Sequence, residues 1–128
     1  MNGSHTSPLF HAFVHMDHHC ANIVQFGSDQ VRTHKVKEQL HLHSAHEKNE
    51  RARHEFFAKV CDDLQGITQV LVVGGHASLA DFRNYVEKHR PHAHAQLAGY
   101  QVMDHPSENE LLALARTWFS QREQMADV

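Results

Sequence analysis

The stretch ITQVLVVGG, residues 67–75, limits the possible folds more than any other part of the chain. It is short, rich in β-branched residues and continuously apolar from Val70 to Val73. A half-exposed strand alternates apolar and polar residues, whereas an uninterrupted apolar strand suits a sheet covered on both faces. Apolar repeats of helical spacing stand on either side of it. Before it come Arg53, Phe56, Phe57, Val60, Cys61 and Leu64. After it come Leu79, Phe82, Tyr85 and Val86, and then Leu111, Leu112, Leu114, Ala115, Trp118 and Phe119. Each helix is preceded by the pattern of a capping box: Ser44 with Glu47, Ser78 with Asp81, and Ser107 with Glu110.

Upstream, Ala12, Val14 and Met16 alternate with Phe13 and His15, the period of a strand. A turn at 17–19 and a returning strand at 20–26 complete a hairpin. Residues 31–42 read as a third, more polar strand near an edge, where a homodimer could pair. A last strand is expected over 98–103, and the segment containing His92 and His94 is expected as an exposed loop. The order is β-β-β-α-β-α-β-α, a single α/β domain with a mixed sheet of the ribonuclease H-like type. Its expected span is residues 9–120, between a flexible start at 1–8 and a flexible tail at 121–128.

The chain has 128 residues, 41% of them hydrophobic and 21% charged, which suits one packed domain. No apolar run approaches the roughly 20 residues that span a membrane. The start MNGSHTSPLF lacks the features of a signal peptide, so a cytoplasmic location is expected. Cys20 and Cys61 form no C-x-x-C pair and are expected to be reduced, Cys61 as a core residue. The formal net charge of −3 gives no broad basic surface, but 15 histidines make the charge sensitive to mild acidification.

Four stretches in this order carry a resemblance: FHAFVHMDHHCANIVQF, HLHSAH, QVLVVGGHASLADFRNYVEKH and VMDHPSENELLALARTWF. Over about residues 10–120 the chain resembles small bacterial translational machinery proteins. It is also similar to the central domain of archaeo-eukaryotic release factors and of Pelota. The release factors carry a Gly-Gly-Gln loop where this chain has QLHLHSAHEKNE, and Gly-Gly-Gln occurs nowhere in it. The resemblance therefore implies association with the ribosome or RNA, without peptide release.

The residues themselves suggest where contact or chemistry would fall. His41 and His43 are two apart, a strand spacing that puts both imidazoles on one side, with His46 following. With Asp17, His18 and His19 they form a candidate site for zinc or another divalent transition metal. His41, His43, His46, Lys48, Arg51, Arg53 and His54 form a candidate contact with RNA or the ribosome. Gly74, Gly75 and His76, between a strand and a helix, are a weak candidate for anion binding. A metal-dependent nuclease would need carboxylates at strand ends, and Asp17, Asp104, Glu108 and Glu110 form an incomplete set.

Overall fold

A computed structural model describes residues 9–17, 19–27, 30–38, 46–104 and 106–126; of residues 9, 46–49 and 122–126 it describes the backbone alone. Three strands open the chain: β1 (Leu9–Met16), β2 (Cys20–Gly27) and β3 (Val31–Lys37). Then follow α1 (His46–Asp63), β4 (Gln69–Gly74), α2 (His76–His89), α3 (Pro91–Gln96), β5 (Leu97–Val102) and α4 (Glu108–Ala126). One sheet runs β3-β2-β1-β4-β5. β1 is antiparallel to β2 and β2 to β3, whereas β1, β4 and β5 run parallel.

The apolar run at 67–75 sits where its composition requires. Val70 and Val72 pack with α1 and α2 in one core, together with Ala12, Val14, Phe56, Val60 and Phe82. Leu71 and Val73 face the other way, into a second core with Phe13, Val24 and the α4 residues Leu111, Ala115 and Phe119. A strand sandwiched between helices has no face on which a polar residue can reach water. Cys61 is buried in the first core, and its burial pushes the thiol up to about 11 despite nearby Arg90. Both cysteines are free. Among the described residues no helix is long and apolar enough to cross a membrane.

Two side chains bond the backbone where α1 gives way to β4. The Gln25 amide donates to the Asp63 carbonyl at 2.6 Å. Gln96 donates to the carbonyls of Leu64 at 2.8 Å and Ile67 at 2.6 Å. The final carbonyls of a helix lack partners within it, so these amides offset a desolvation cost. Arg90 adds a 3.0 Å ion pair with Asp62.

The structure differs from the sequence reading at several places. Residues 91–96 form the short helix α3 rather than a loop; Pro91 stands at its start, where a fixed φ and a missing N–H cost nothing. α4 continues to Ala126, past the expected domain boundary at residue 120. β3 ends at Lys37, and the rest of the strand expected to residue 42 falls outside the described residues or in irregular backbone. Ser78 does not cap α2: Gly75 holds that position with extended backbone, and Ser78 lies inside the first turn, 5% exposed. The capping box of Ser107 is present, with Glu110 N–H donating to Ser107 Oγ at 3.1 Å and Ser107 N–H to Glu110 Oε1 at 3.2 Å. Ser107→Ala is expected to lower stability by about 1 kcal/mol in urea denaturation. The box expected at Ser44 lies outside the described residues.

Candidate functional site

The three parallel strands end side by side. Met16 pairs with Gly74 across β1 and β4, and Gly74 with Val102 across β4 and β5. The Met103 N–H donates to the Gly74 carbonyl at 2.9 Å, extending the alignment by one residue. Beyond these ends lies a pocket of about 270 Å³. Its walls are the end of β1 with His15 and Asp17, the first turn of α2 from Gly75 to Ser78, and Met103 with Asp104. In open α/β sheets this is the place where ligands bind, outside the carboxyl ends of strands whose connections diverge. His15 is half-buried, and desolvation pulls its imidazole below the usual value, with the Asp17 carboxylate opposing that shift.

A groove of about 420 Å³ runs between α1 and α2. The His54 ring lies tilted 5.2 Å from Tyr85 and 5.5 Å from His89, and the latter two rings are 5.1 Å apart. At one end of the groove Arg53 is held between two carboxylates, Glu38 at 3.3 Å and Asp81 at 3.1 Å, and over the Phe57 ring at 5.1 Å. The Glu38 side chain is only 3% exposed, so this guanidinium compensates a buried carboxylate. Arg53 was expected to face RNA; its charge is instead neutralised within the fold. Arg51 and His54, from the same candidate set, are exposed.

The metal candidates divide. His18, His41 and His43 lie outside the described residues, as do the side chains of His46 and Lys48. Asp17 and His19 occupy the β1–β2 turn, where the Asp17 N–H donates to the Cys20 carbonyl at 2.8 Å. His19 Nδ1 lies 3.3 Å from Glu38, and the Glu38 N–H donates to the His19 carbonyl at 2.7 Å. Among the described residues no three His, Cys, Asp or Glu side chains are placed to hold a metal ion. Of the nuclease carboxylates, Asp17 and Asp104 do line one pocket, but Glu110 is tied into the α4 cap. Gly74, Gly75 and His76 form the strand-to-helix turn as expected, and Gly75 and His76 line the strand-end pocket.

Two features escaped the sequence reading. One is the Glu38–Arg53–Asp81 bridge, which joins residues 15 and 28 apart in the chain. The other is a cationic strand. β3 carries Arg32, Lys35 and Lys37 and no acidic residue, all three exposed on the sheet edge. Lys59 of α1 lines the same surface depression as Lys35 and Lys37. None of these four cations makes an ion pair with a described residue. The charge was legible in VRTHKVK; its exposure depended on β3 being the outermost strand.

A domain of this kind, a five-stranded mixed sheet between helical layers, matches solved structures of two Pelota proteins and of an archaeal translation termination factor. The Pelota protein of Archaeoglobus fulgidus is similar with a TM-score of 0.57 and 14% identity, over 88% of this chain and 32% of that one. Pelota of Thermoplasma acidophilum gives 0.56 and 12%, over 84% and 32%. An archaeal translation termination factor gives 0.55 and 15%, over 79% and 32%. The chain thus spans about a third of the length of these structures, and at such identities the likeness is one of fold. No family model matches the sequence, and no curated protein matches it significantly.

Proposed function

We propose that this protein is a cytoplasmic, non-enzymatic accessory of translation, of the bacterial translational machinery type, which contacts the ribosome or RNA. The observation that carries the reading is the fold, shared with two Pelota proteins and a translation termination factor. The contact runs through the His-rich stretch that joins β3 to α1, holding His41, His43 and His46, and through Lys48 and Arg51 after it. The cations Arg32, Lys35, Lys37 and Lys59, which pair with no described residue, extend this face onto β3. Phosphate contacts of this kind release counterions and weaken steeply with salt.

Co-sedimentation with ribosomes across a salt series tests it. Binding is expected at low salt, falling as salt rises, and a Lys35→Glu/Lys37→Glu variant is expected to lose at least about tenfold in affinity. Absence of binding at low salt, or full binding by the variant, overturns the reading.

One observation favours a second reading, divalent metal binding. The Glu38 N–H bonds the His19 carbonyl, so the stretch bearing His41 and His43 leaves the sheet beside the Asp17–His19 turn. Elemental analysis of tag-free protein decides it. Near-stoichiometric zinc, removed by His41→Ala/His43→Ala, establishes a metal site; no metal in either protein dismisses it.

A further inference from the structure

α4 covers only part of its side of the sheet. It packs over the middle strands, where Phe13, Leu71 and Val73 meet Leu111, Ala115 and Phe119. Val24 of β2 belongs to the same core, and residues two apart on a strand share a face, so Asn22 and Phe26 point that way too. Across the antiparallel ladder Phe26 opposes Val31, Val24 opposes Thr33, Asn22 opposes Lys35 and Cys20 opposes Lys37. Opposed residues also share a face. These four β3 residues are all exposed, so α4 stops short of the edge strand and leaves an open strip. Val31 is 64% exposed, a large apolar side chain beside cations. Where the strip meets α4 lies a cleft of about 210 Å³, lined by His11, Phe26, Ala115, Arg116, Phe119 and Ser120. His11 stacks on Phe119 with centroids 4.4 Å apart, and Phe26 meets Phe119 edge-on at 6.3 Å. Phe26 itself is half-buried.

The charge of this surface defines its occupant. Neither β2 nor β3 contains an acidic residue, in a chain whose formal net charge is −3. Lys35 and Lys37 stand on the strip and the exposed Arg116 stands at the cleft, none of them in an ion pair with a described residue. The strip is therefore complementary to a polyanion. A second copy paired along β3 would bring like charges together. An acidic peptide would match the cations but leave the ring-lined cleft empty. A duplex offers phosphates while keeping its bases stacked. Single-stranded RNA offers phosphates to the cations and bare base faces to the rings. The cleft is smaller than a drug-sized pocket, which suits one base. We propose that the open β2–β3 strip binds single-stranded RNA, with one base in the cleft beside Phe26 and the phosphates along Arg116, Lys35 and Lys37. This rests on the reading that the protein contacts the ribosome or RNA, and names the form of RNA and the surface that takes it.

Fluorescence anisotropy of a labelled, unstructured RNA of about ten nucleotides, alone and annealed to its complement, tests this on the full chain, and amide NMR shifts map the site. The single strand is expected to bind saturably at low salt, at least about tenfold more tightly than the duplex, with the largest shifts at Phe26, Val31, Lys35 and Arg116. Phe26→Leu keeps apolar bulk and removes the ring, and is expected to weaken binding about tenfold. Lys35→Gln/Lys37→Gln is expected to lower the slope of log affinity against log salt by about 1.4, the share of two phosphate contacts on a single strand. Equal binding of the duplex overturns the proposal. Equally tight competition by polyglutamate overturns it too, and marks the strip as a surface for acidic polypeptides. Full affinity in folded Phe26→Leu, or shifts that map away from the strip, does the same. The shift map on the unaltered protein decides the matter even if Phe26→Leu fails to fold. If the protein co-sediments with ribosomes but leaves the RNA unbound, this proposal falls and the translational reading stands; if it binds neither, both fall.

Discussion

Arg53→Ala is expected to lower the stability of the fold by about 2–3 kcal/mol, although it removes a residue on a helix surface. The cost comes from what remains. Glu38 is 3% exposed and loses its guanidinium partner; its other side-chain neighbour is His19, 3.3 Å away and 59% exposed. Breaking a buried pair costs about 3–5 kcal/mol, and the figure is reduced here because Arg53 is itself 24% exposed to screening solvent. The same change removes the link to Asp81 and the cation over Phe57. Glu38→Gln made on top of Arg53→Ala is expected to recover more than half of the loss, since no unpaired buried charge then remains. Guanidinium denaturation of the two single variants and the double variant measures this. A loss under about 0.5 kcal/mol for Arg53→Ala would show that Glu38 is hydrated rather than bridged.

Gly74→Ala is expected to cost about 3 kcal/mol or more, the largest effect of any single methyl group here. Gly74 sits at φ +156°, a backbone conformation that side chains disfavour. A Cβ built on it collides with the carbonyl oxygen of Met16, its partner across the β1–β4 ladder. That oxygen is backbone in the middle strand of the sheet and cannot swing aside. Gly75→Ala provides the control: φ is −69° and a Cβ meets nothing within 4 Å. It is expected to change stability by no more than about 1 kcal/mol, the scale of a cap substitution. Thermal unfolding of the two neighbours, compared side by side, reads the difference. Equal melting temperatures would show that β1 and β4 separate at this end.

The contrast between these glycines shows which information the chain carries locally. Periodicity was enough for the elements: the alternation at Ala12, Val14 and Met16 marks a strand, and the unbroken run at Val70–Val73 reports a strand covered on both faces. It was not enough for the start of α2. Ser78 and Asp81 match a capping box as well as Ser107 and Glu110 do, yet Gly75 begins the helix. The decision lies in the Gly74–Met16 pairing, 58 residues apart in the chain, which no window of sequence contains. Arg53 shows the same limit: beside Arg51 and His54 it reads as a basic patch, while its partners are Glu38, just after β3, and Asp81 of α2. The helix at 91–96 has a local signal in Pro91 at its first position, although His92 and His94 read as an exposed loop. The strand-end pocket collects residues from three segments, so only His76 and the glycines beside it suggested it in advance.

The Glu38–Arg53 bridge also bears on how a partner would grip the His-rich stretch. Residues 39–45 leave from Glu38 and arrive at His46, the start of the helix that carries Arg53. The bridge therefore ties the departure point to the helix at which the segment arrives. Bringing the ends of a segment together costs entropy, and here the folded domain has met that cost before any partner binds. A partner contacting this segment, as the proposed function has it, would meet two ends already held by the fold, which favours tighter binding without an added contact. Weakening the bridge would loosen that embrace from a distance.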